Sequence, residues 1–157
     1  MAESSARLDP HVPSFVPALN GVIRRLLGAG MPMGPNGLLT IRGRTTGVPR
    51  TFPVAFLELD GRRYVQGTFG ETNWVKNLRA AGDAVISKGG ASEEVDAVEL
   101  TPEQAAVVLR GALAPFVGRR LMRPLVGRFF HLPGGASLDD YRTVAQAHPT
   151  FELRPRR

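Results

Sequence analysis

Asp60-Gly61 lies between two short apolar runs, Arg50–Leu59 and Arg63–Gly67, and is the strongest hairpin signal in the chain. The pattern recurs on both sides. Leu38–Arg42 leads through Gly43-Arg44-Thr45-Thr46-Gly47-Val48-Pro49 into the run at 50–59, where Phe52, Val54, Phe56 and Leu59 mark the apolar positions. Ala84–Lys88 and Glu94–Leu100 are joined by the Gly-Gly-Ala-Ser-Glu segment at 89–93. Antiparallel neighbours need only a tight turn, whereas parallel ones need a crossover of about a dozen residues or more. Consecutive hairpins therefore predict an antiparallel sheet or small barrel with helices packed outside, an α+β class, and argue against the βαβ alternation of a Rossmann fold.

Helical spacing brackets this core. Phe15, Leu19, Val22, Ile23, Leu26 and Leu27 predict an amphipathic helix over 14–29, stopped by Gly28 and Gly30, with a loop at 31–37. Asn73–Ala81 reads as a short helix, with Thr72 or Asn73 as N-cap and Gly82 as stop. Thr101-Pro102-Glu103 opens a further helix to about Leu113. A helical stretch over 116–130, broken at Pro124, and a helix over 138–147 follow. His148-Pro149 ends the latter, and Thr150–Leu153 is a last strand. Residues 1–12 read as a flexible leader and 13–157 as a single domain, a natural size for one core.

Composition removes several chemistries. Without cysteine there are no disulfides, thiolate metal sites or thiol nucleophiles. His11, His131 and His148 show no helical i, i+4 pair, so no metal site is expected. The net charge of +6 comes from arginine, since Lys76 and Lys88 are the only lysines. Arginine grips phosphate and carboxylate with two parallel bonds, which favours an anionic ligand; a GC-rich genome also produces such a bias. The arginines are not interleaved with aromatics on a recognisable strand platform, so no nucleic-acid partner is expected. The first ten residues lack a secretory pattern, and no apolar run reaches the ~18 residues of a membrane span. The expected location is cytoplasmic, with peripheral contact at the inner membrane face through 14–29 and 116–130 as a further option.

The turn at 43–50 is the candidate site. Backbone N–H groups of a glycine-containing turn can form an anion-binding concavity. The Thr45 and Thr46 hydroxyls add donors, and Arg44 and Arg50 add charge at either end. A hairpin turn with solvated arginines is the competing reading. Likewise Trp74, the only tryptophan, is read either as a core aromatic or as a site wall.

Two segments considered together go further. Leu-Leu-Thr-Ile-Arg-Gly-Arg-Thr-Thr-Gly-Val-Pro-Arg at 38–50 and Trp-Val-Lys-Asn-Leu-Arg-Ala at 74–80, separated by the Asp-Gly hairpin, resemble the deazaflavin-dependent nitroreductase family of actinobacteria, whose enzymes use coenzyme F420. The resemblance covers residues 15–100 well and the C-terminal third weakly. It implies a split β-barrel of about six mostly antiparallel strands, related to flavin-binding pyridoxamine oxidase-like proteins. It also implies that Arg44, Thr45, Thr46, Gly47 and Arg50 hold the cofactor phosphate and its neighbours. By the same implication Pro53 and Val54 lie near the ring or ribityl chain, Gln66 and Thr68 contact the ring system, and Trp74 and Asn77 close the site. The chain departs from the family where Thr45 and Phe69 replace lysines and Leu138 replaces a tyrosine. Tyr141 approximately matches another family tyrosine and is a candidate substrate-side residue.

The implied function is reduction of a small organic acceptor by reduced coenzyme F420 (8-hydroxy-5-deazaflavin): a quinone, an enone, another activated double bond or a nitro compound. Since the cofactor supplies the hydride, no catalytic residue set is required. An FMN-dependent reductase and a non-catalytic cofactor- or lipid-binding barrel are the alternatives; either a monomer or a homodimer fits. Arg110, Arg119, Arg120, Arg123 and Arg128 form a basic stretch with no acid between Glu103 and Asp139. Three readings stand for it: a solvated face, a membrane contact, or a guide for the anionic poly-glutamate tail of the cofactor.

Overall fold

A computed structural model describes residues 36–117 and 136–157. Six strands form a closed barrel: β1 (Asn36–Arg42), β2 (Pro49–Leu59), β3 (Arg62–Gln66), β4 (Asp83–Lys88), β5 (Ala91–Glu99) and β6 (Thr150–Pro155). Their order around the barrel is β1-β2-β3-β6-β5-β4, with β4 paired back onto β1, and every pairing is antiparallel. Among the described residues three helices accompany them: α1 (Asn73–Ala81), α2 (Pro102–Val117) and α3 (Leu138–Ala147). The expected α+β barrel of six strands is what the chain forms.

Alternation along the strands fills the barrel. Leu39 and Ile41 from β1, Val54 and Phe56 from β2, Val65 from β3, Ile86 from β4, Val95 from β5 and Phe151 and Leu153 from β6 form one buried cluster. Val75 and Leu78 from α1 join it with no exposed surface, so this helix packs directly on the barrel core. The Gly82 residue ends α1 in the left-handed conformation and donates its N–H to the Leu78 carbonyl.

A second cluster lies between α2 and α3, where Ala105, Ala106 and Leu109 meet Tyr141, Val144 and Ala145, with Leu57 and Leu100 packed against them. Both helices begin with reciprocal caps. Ser137 and Asp140 exchange bonds at the start of α3, and Thr101 and Gln104 do so before α2.

Several boundaries differ from expectation. Strand β1 starts at Asn36, inside the expected loop, because its pairing with β2 extends to Asn36 opposite Ala55. Strand β5 starts at Ala91, so the connection from β4 is Gly89-Gly90 alone. Both glycines have positive φ, 59° and 80°, the two-residue hairpin geometry that glycine adopts without strain. Strand β3 is shifted to Arg62–Gln66, and β6 continues to Pro155 because Val95 still pairs with it there. Helix α2 continues past Leu113 and through Pro115 to Val117, absorbing the first two residues of the expected 116–130 stretch. The rest of that stretch, the expected helix over 14–29 and the leader lie outside the described residues.

Candidate functional site

The β1–β2 connection is a closed turn. Gly43 N–H donates to the Val48 carbonyl at 2.9 Å, Gly47 N–H to the Gly43 carbonyl at 2.8 Å, and Val48 N–H to Thr46 Oγ1 at 3.3 Å. Gly47 has φ 72°, with nothing within 4 Å of an added Cβ, so the backbone angle alone selects glycine there. These three amides are occupied inside the turn. The Gly43, Gly47 and Val48 N–H groups are therefore not open donors, and the exposed groups of the turn include the side chains of Arg44 and Thr45.

The two sequence segments of the resemblance meet physically. Arg44 donates from Nη1 to Asn77 Oδ1 at 2.8 Å, and its backbone N–H reaches the same oxygen at 3.3 Å. Its Nη2 lies 3.5 Å from Asn73 Oδ1. Asn77 is only 4% exposed, on the inner face of α1, whereas Arg44 is exposed. A buried amide thus fixes the base of an exposed cation. Arg50, opposite Ile41 at the start of β2, is exposed and pairs with no carboxylate among the described residues. Arg42 does not contribute free charge, because Asp83 accepts from it at 2.9 Å.

Gln66 ends β3 buried, and its Nε2 has no hydrogen-bond partner. Thr72 caps α1 in an extended conformation, yet its hydroxyl makes no cap bond and is likewise buried and unpartnered. Buried polar groups are almost always satisfied, so two orphans on the segment linking β3 to α1 are unusual. Thr68, between them, is half-buried, and its N–H donates to the Gln66 carbonyl at 3.0 Å. Trp74 is half-buried and packs against the barrel cluster, as the core reading expects. Val54 is part of that cluster, and Pro53 is half-buried beside it, opposite Leu38.

Tyr141 lies elsewhere, buried in the α2–α3 cluster. Burial pushes its phenol up from the ordinary tyrosine range, and the charge of Arg110 opposes that shift. The structure thus brings Arg44, Asn73 and Asn77 together and does not add Tyr141 to them. Thr72 and Asn73 were legible only as alternative helix caps; nothing in their spacing indicated an orphan hydroxyl or a contact to Arg44.

Helix α1 is tied down at its other end. Arg79 donates two 2.7 Å bonds to Glu71 and bonds of 2.7 and 2.8 Å to Glu99. The pairing holds the Glu71 carboxyl below its usual value and the Arg79 guanidinium above its own, in each case chiefly through hydrogen bonding. A cavity of about 170 Å³ opens beside the turn, between Thr40, Pro49, Asp83 and Arg156. Its cations already pair with Asp83 and Asp96. Among the described residues no cluster of acidic or histidine side chains is able to hold a metal ion.

A closed six-stranded barrel with a short helix packed on its core and locked to an exposed basic turn is the architecture of the split-barrel class. The sequence profile of the F420H(2)-dependent quinone reductase family matches residues 19–116, more than half of the chain. The protein belongs to that family, and it is an oxidoreductase of the F420H2-dependent kind. No curated protein matches it.

Among solved structures, an F420-H2 dependent reductase (FDR-A) aligns at 19% identity with a TM-score of 0.52, covering 76% of this chain and 94% of that one. A structure described as a domain-swapped dimer aligns at 18% identity with a TM-score of 0.54, covering 90% and 100%. A candidate pyridoxamine 5′-phosphate oxidase from Listeria innocua aligns at 14% identity with a TM-score of 0.50, covering 88% and 94%. At these identities the likeness is one of fold.

Proposed function

We propose that the protein binds coenzyme F420 with its phosphate at Arg44 and Arg50 and reduces a quinone or another activated double bond. The observation that carries this reading is the Arg44–Asn77 pair, which joins both family segments into one basic platform. A phosphate placed there meets two cations without a described carboxylate partner, and charge-assisted bonds of this kind are the strong ones.

The residues present fit the rest of the cofactor. The unpartnered Gln66 Nε2 needs an acceptor, and a ring-edge carbonyl is one. Trp74 offers a flat apolar wall with a single N–H donor. Thr68 lies beside Gln66 and completes the polar edge. When bound, reduced F420 supplies the hydride. The protein's part is to hold the phosphate, orient the ring against Trp74 and Gln66, and keep water from the buried side. Of the stretches 14–29 and 116–130, expected as a membrane contact, only residues 116 and 117 are described, as the end of α2. No described helix is long and apolar enough to cross a membrane.

The test is a side-by-side fluorescence titration with F420 and FMN, followed by turnover of F420H2 with a water-soluble quinone. F420 is expected to bind at micromolar concentration or better and FMN more weakly. Tighter FMN binding would transfer the protein to flavin chemistry. F420 binding without turnover on a panel of quinones, enones and nitro compounds would make it a carrier.

A further inference from the structure

Most arginines that the described residues hold in place rest on carboxylates: Arg42 on Asp83, Arg62 and Arg154 on Glu152, Arg63 on Glu93, Arg79 on Glu71 and Glu99, Arg142 on Glu103, Arg156 on Asp83 and Asp96. Arg50 and Arg110 pair with no carboxylate among the described residues, and Arg44 is held in a different way. Its partners are the amide oxygens of Asn77 and Asn73. An amide accepts the same hydrogen bonds as a carboxylate but carries no charge. Arg44 is therefore oriented without being neutralised.

We infer that Asn77 is a positioning residue whose neutrality is its function: it fixes the Arg44 guanidinium and leaves its full positive charge for the ligand phosphate. This rests on the cofactor reading above and assigns Asn77 a role behind the cation instead of against the ligand. The burial of Asn77 supports it. At 4% exposure its oxygen already serves two donors of Arg44, the guanidinium and the backbone N–H. A carboxylate at this depth forms a tight ion pair with Arg44, since the low local dielectric strengthens the attraction. An ion pair of that kind preserves the geometry and cancels the charge. The sequence of the site thus has a carboxamide where the rest of the protein, facing the same structural task, has Asp or Glu.

The experiment compares Asn77→Asp, Arg44→Ala and the double variant in F420 titrations, with thermal melts of each. Asn77→Asp changes one atom of the side chain, keeps both bonds to Arg44 and is expected to melt at or above the wild-type temperature. Its affinity for F420 is expected to fall tenfold or more. With F420H2 as the varied substrate, KM should rise and kcat at saturation stay within about twofold. On the Arg44→Ala background the same substitution should cost less than about threefold, because no cation remains to be neutralised.

Wild-type affinity in Asn77→Asp overturns the inference. So does an undiminished loss on the Arg44→Ala background, which would put the Asn77 side chain against the ligand itself. If Asn77→Asp does not fold, Asn73→Asp, exposed at the start of α1 and 3.5 Å from the same guanidinium, replaces it; a two- to fivefold loss supports the inference and no loss overturns it. If wild-type protein fails to bind F420, the cofactor reading falls. The neutral latch is then read with inorganic phosphate alone, by amide NMR shifts at Gly43–Gly47. Shifts present in wild type and lost in Asn77→Asp uphold it, and equal shifts or none overturn it.

Discussion

Arg44 and Arg50 sit at either end of one turn but are held differently, and the difference separates their expected phenotypes. Arg44 is anchored to Asn77, so its guanidinium is already ordered before ligand arrives. Arg50 has no described carboxylate partner and must give up side-chain freedom on binding. Replacing either by alanine removes a charge-assisted contact of about 1.5–3 kcal/mol, roughly a tenfold to hundredfold loss of F420 affinity. Arg44→Ala should show the larger loss. Arg44→Lys is not conservative here, because an ammonium on a flexible stem cannot span Asn77 and a phosphate in the planar geometry of a guanidinium. It should recover less than half of the binding energy in the same titration. Gly47→Ala is a backbone test. The open space around it removes steric cost, so the left-handed φ of 72° alone should lower stability by about 1 kcal/mol in a denaturant melt. Single residues of this site were legible because glycine, proline and arginine carry strong local signals. The Asn77 contact was not, since it spans 33 positions and depends on where α1 packs.

Helix α1 owes its place to two devices at the scale of the element. Val75 and Leu78 anchor its apolar face in the barrel, and Arg79 ties its C-terminal turn to Glu71 and Glu99. The three charged side chains are all one-third or more exposed, so solvent screens them. Arg79→Leu should therefore cost about 1 kcal/mol or less in isolation. Its clearer signature is pH dependence. The Glu71 carboxyl is held below 4.5 in the folded protein by its bond to Arg79. That contribution is complete above pH 4.5 and is lost as pH falls through the lower folded value. Thermal melts between pH 6 and pH 3 should show a steeper fall for wild type than for Arg79→Leu; parallel curves would count against the clamp. The elements themselves were readable from local chemistry. Gly82 as stop, Asp60-Gly61 as turn and the Thr101 cap all form as expected. The Gly89-Gly90 hairpin was misjudged because Ala91, Ser92 and Glu93 look like loop residues, although pairing to β4 makes them strand. Propensity lost there to a neighbouring strand, which a single sequence does not display.

Closure of the barrel belongs to the whole molecule and was the least legible part. Hairpins predict the β1–β2, β2–β3 and β4–β5 pairings, since each joins neighbours in the chain. The other three, β1–β4, β3–β6 and β5–β6, join strands separated by helices. The C-terminal strand is decisive. It enters between β3 and β5, placing Phe151 opposite Val65 and Leu153 opposite Ala97, and both of its apolar side chains enter the core. Without it β3 and β5 become open edges, and the core loses Phe151 and Leu153. Truncating a buried Phe to alanine alone costs about 3–5 kcal/mol, against a total stability of about 5–15 kcal/mol for a typical domain. A chain ending at Pro149 should therefore fail to fold cooperatively and should aggregate through the exposed edges. Removing only Arg156 and Arg157 breaks the Arg156 bonds to Asp83 and Asp96 and its N–H bond to the Glu94 carbonyl, and leaves the paired residues of β6 in place. That shorter truncation should keep a sharp melt, lowered by a few degrees. Circular dichroism and size-exclusion chromatography of the two truncations decide the point. A monodisperse, cooperatively melting protein ending at Pro149 would mean that β6 covers a barrel already stable, instead of completing it.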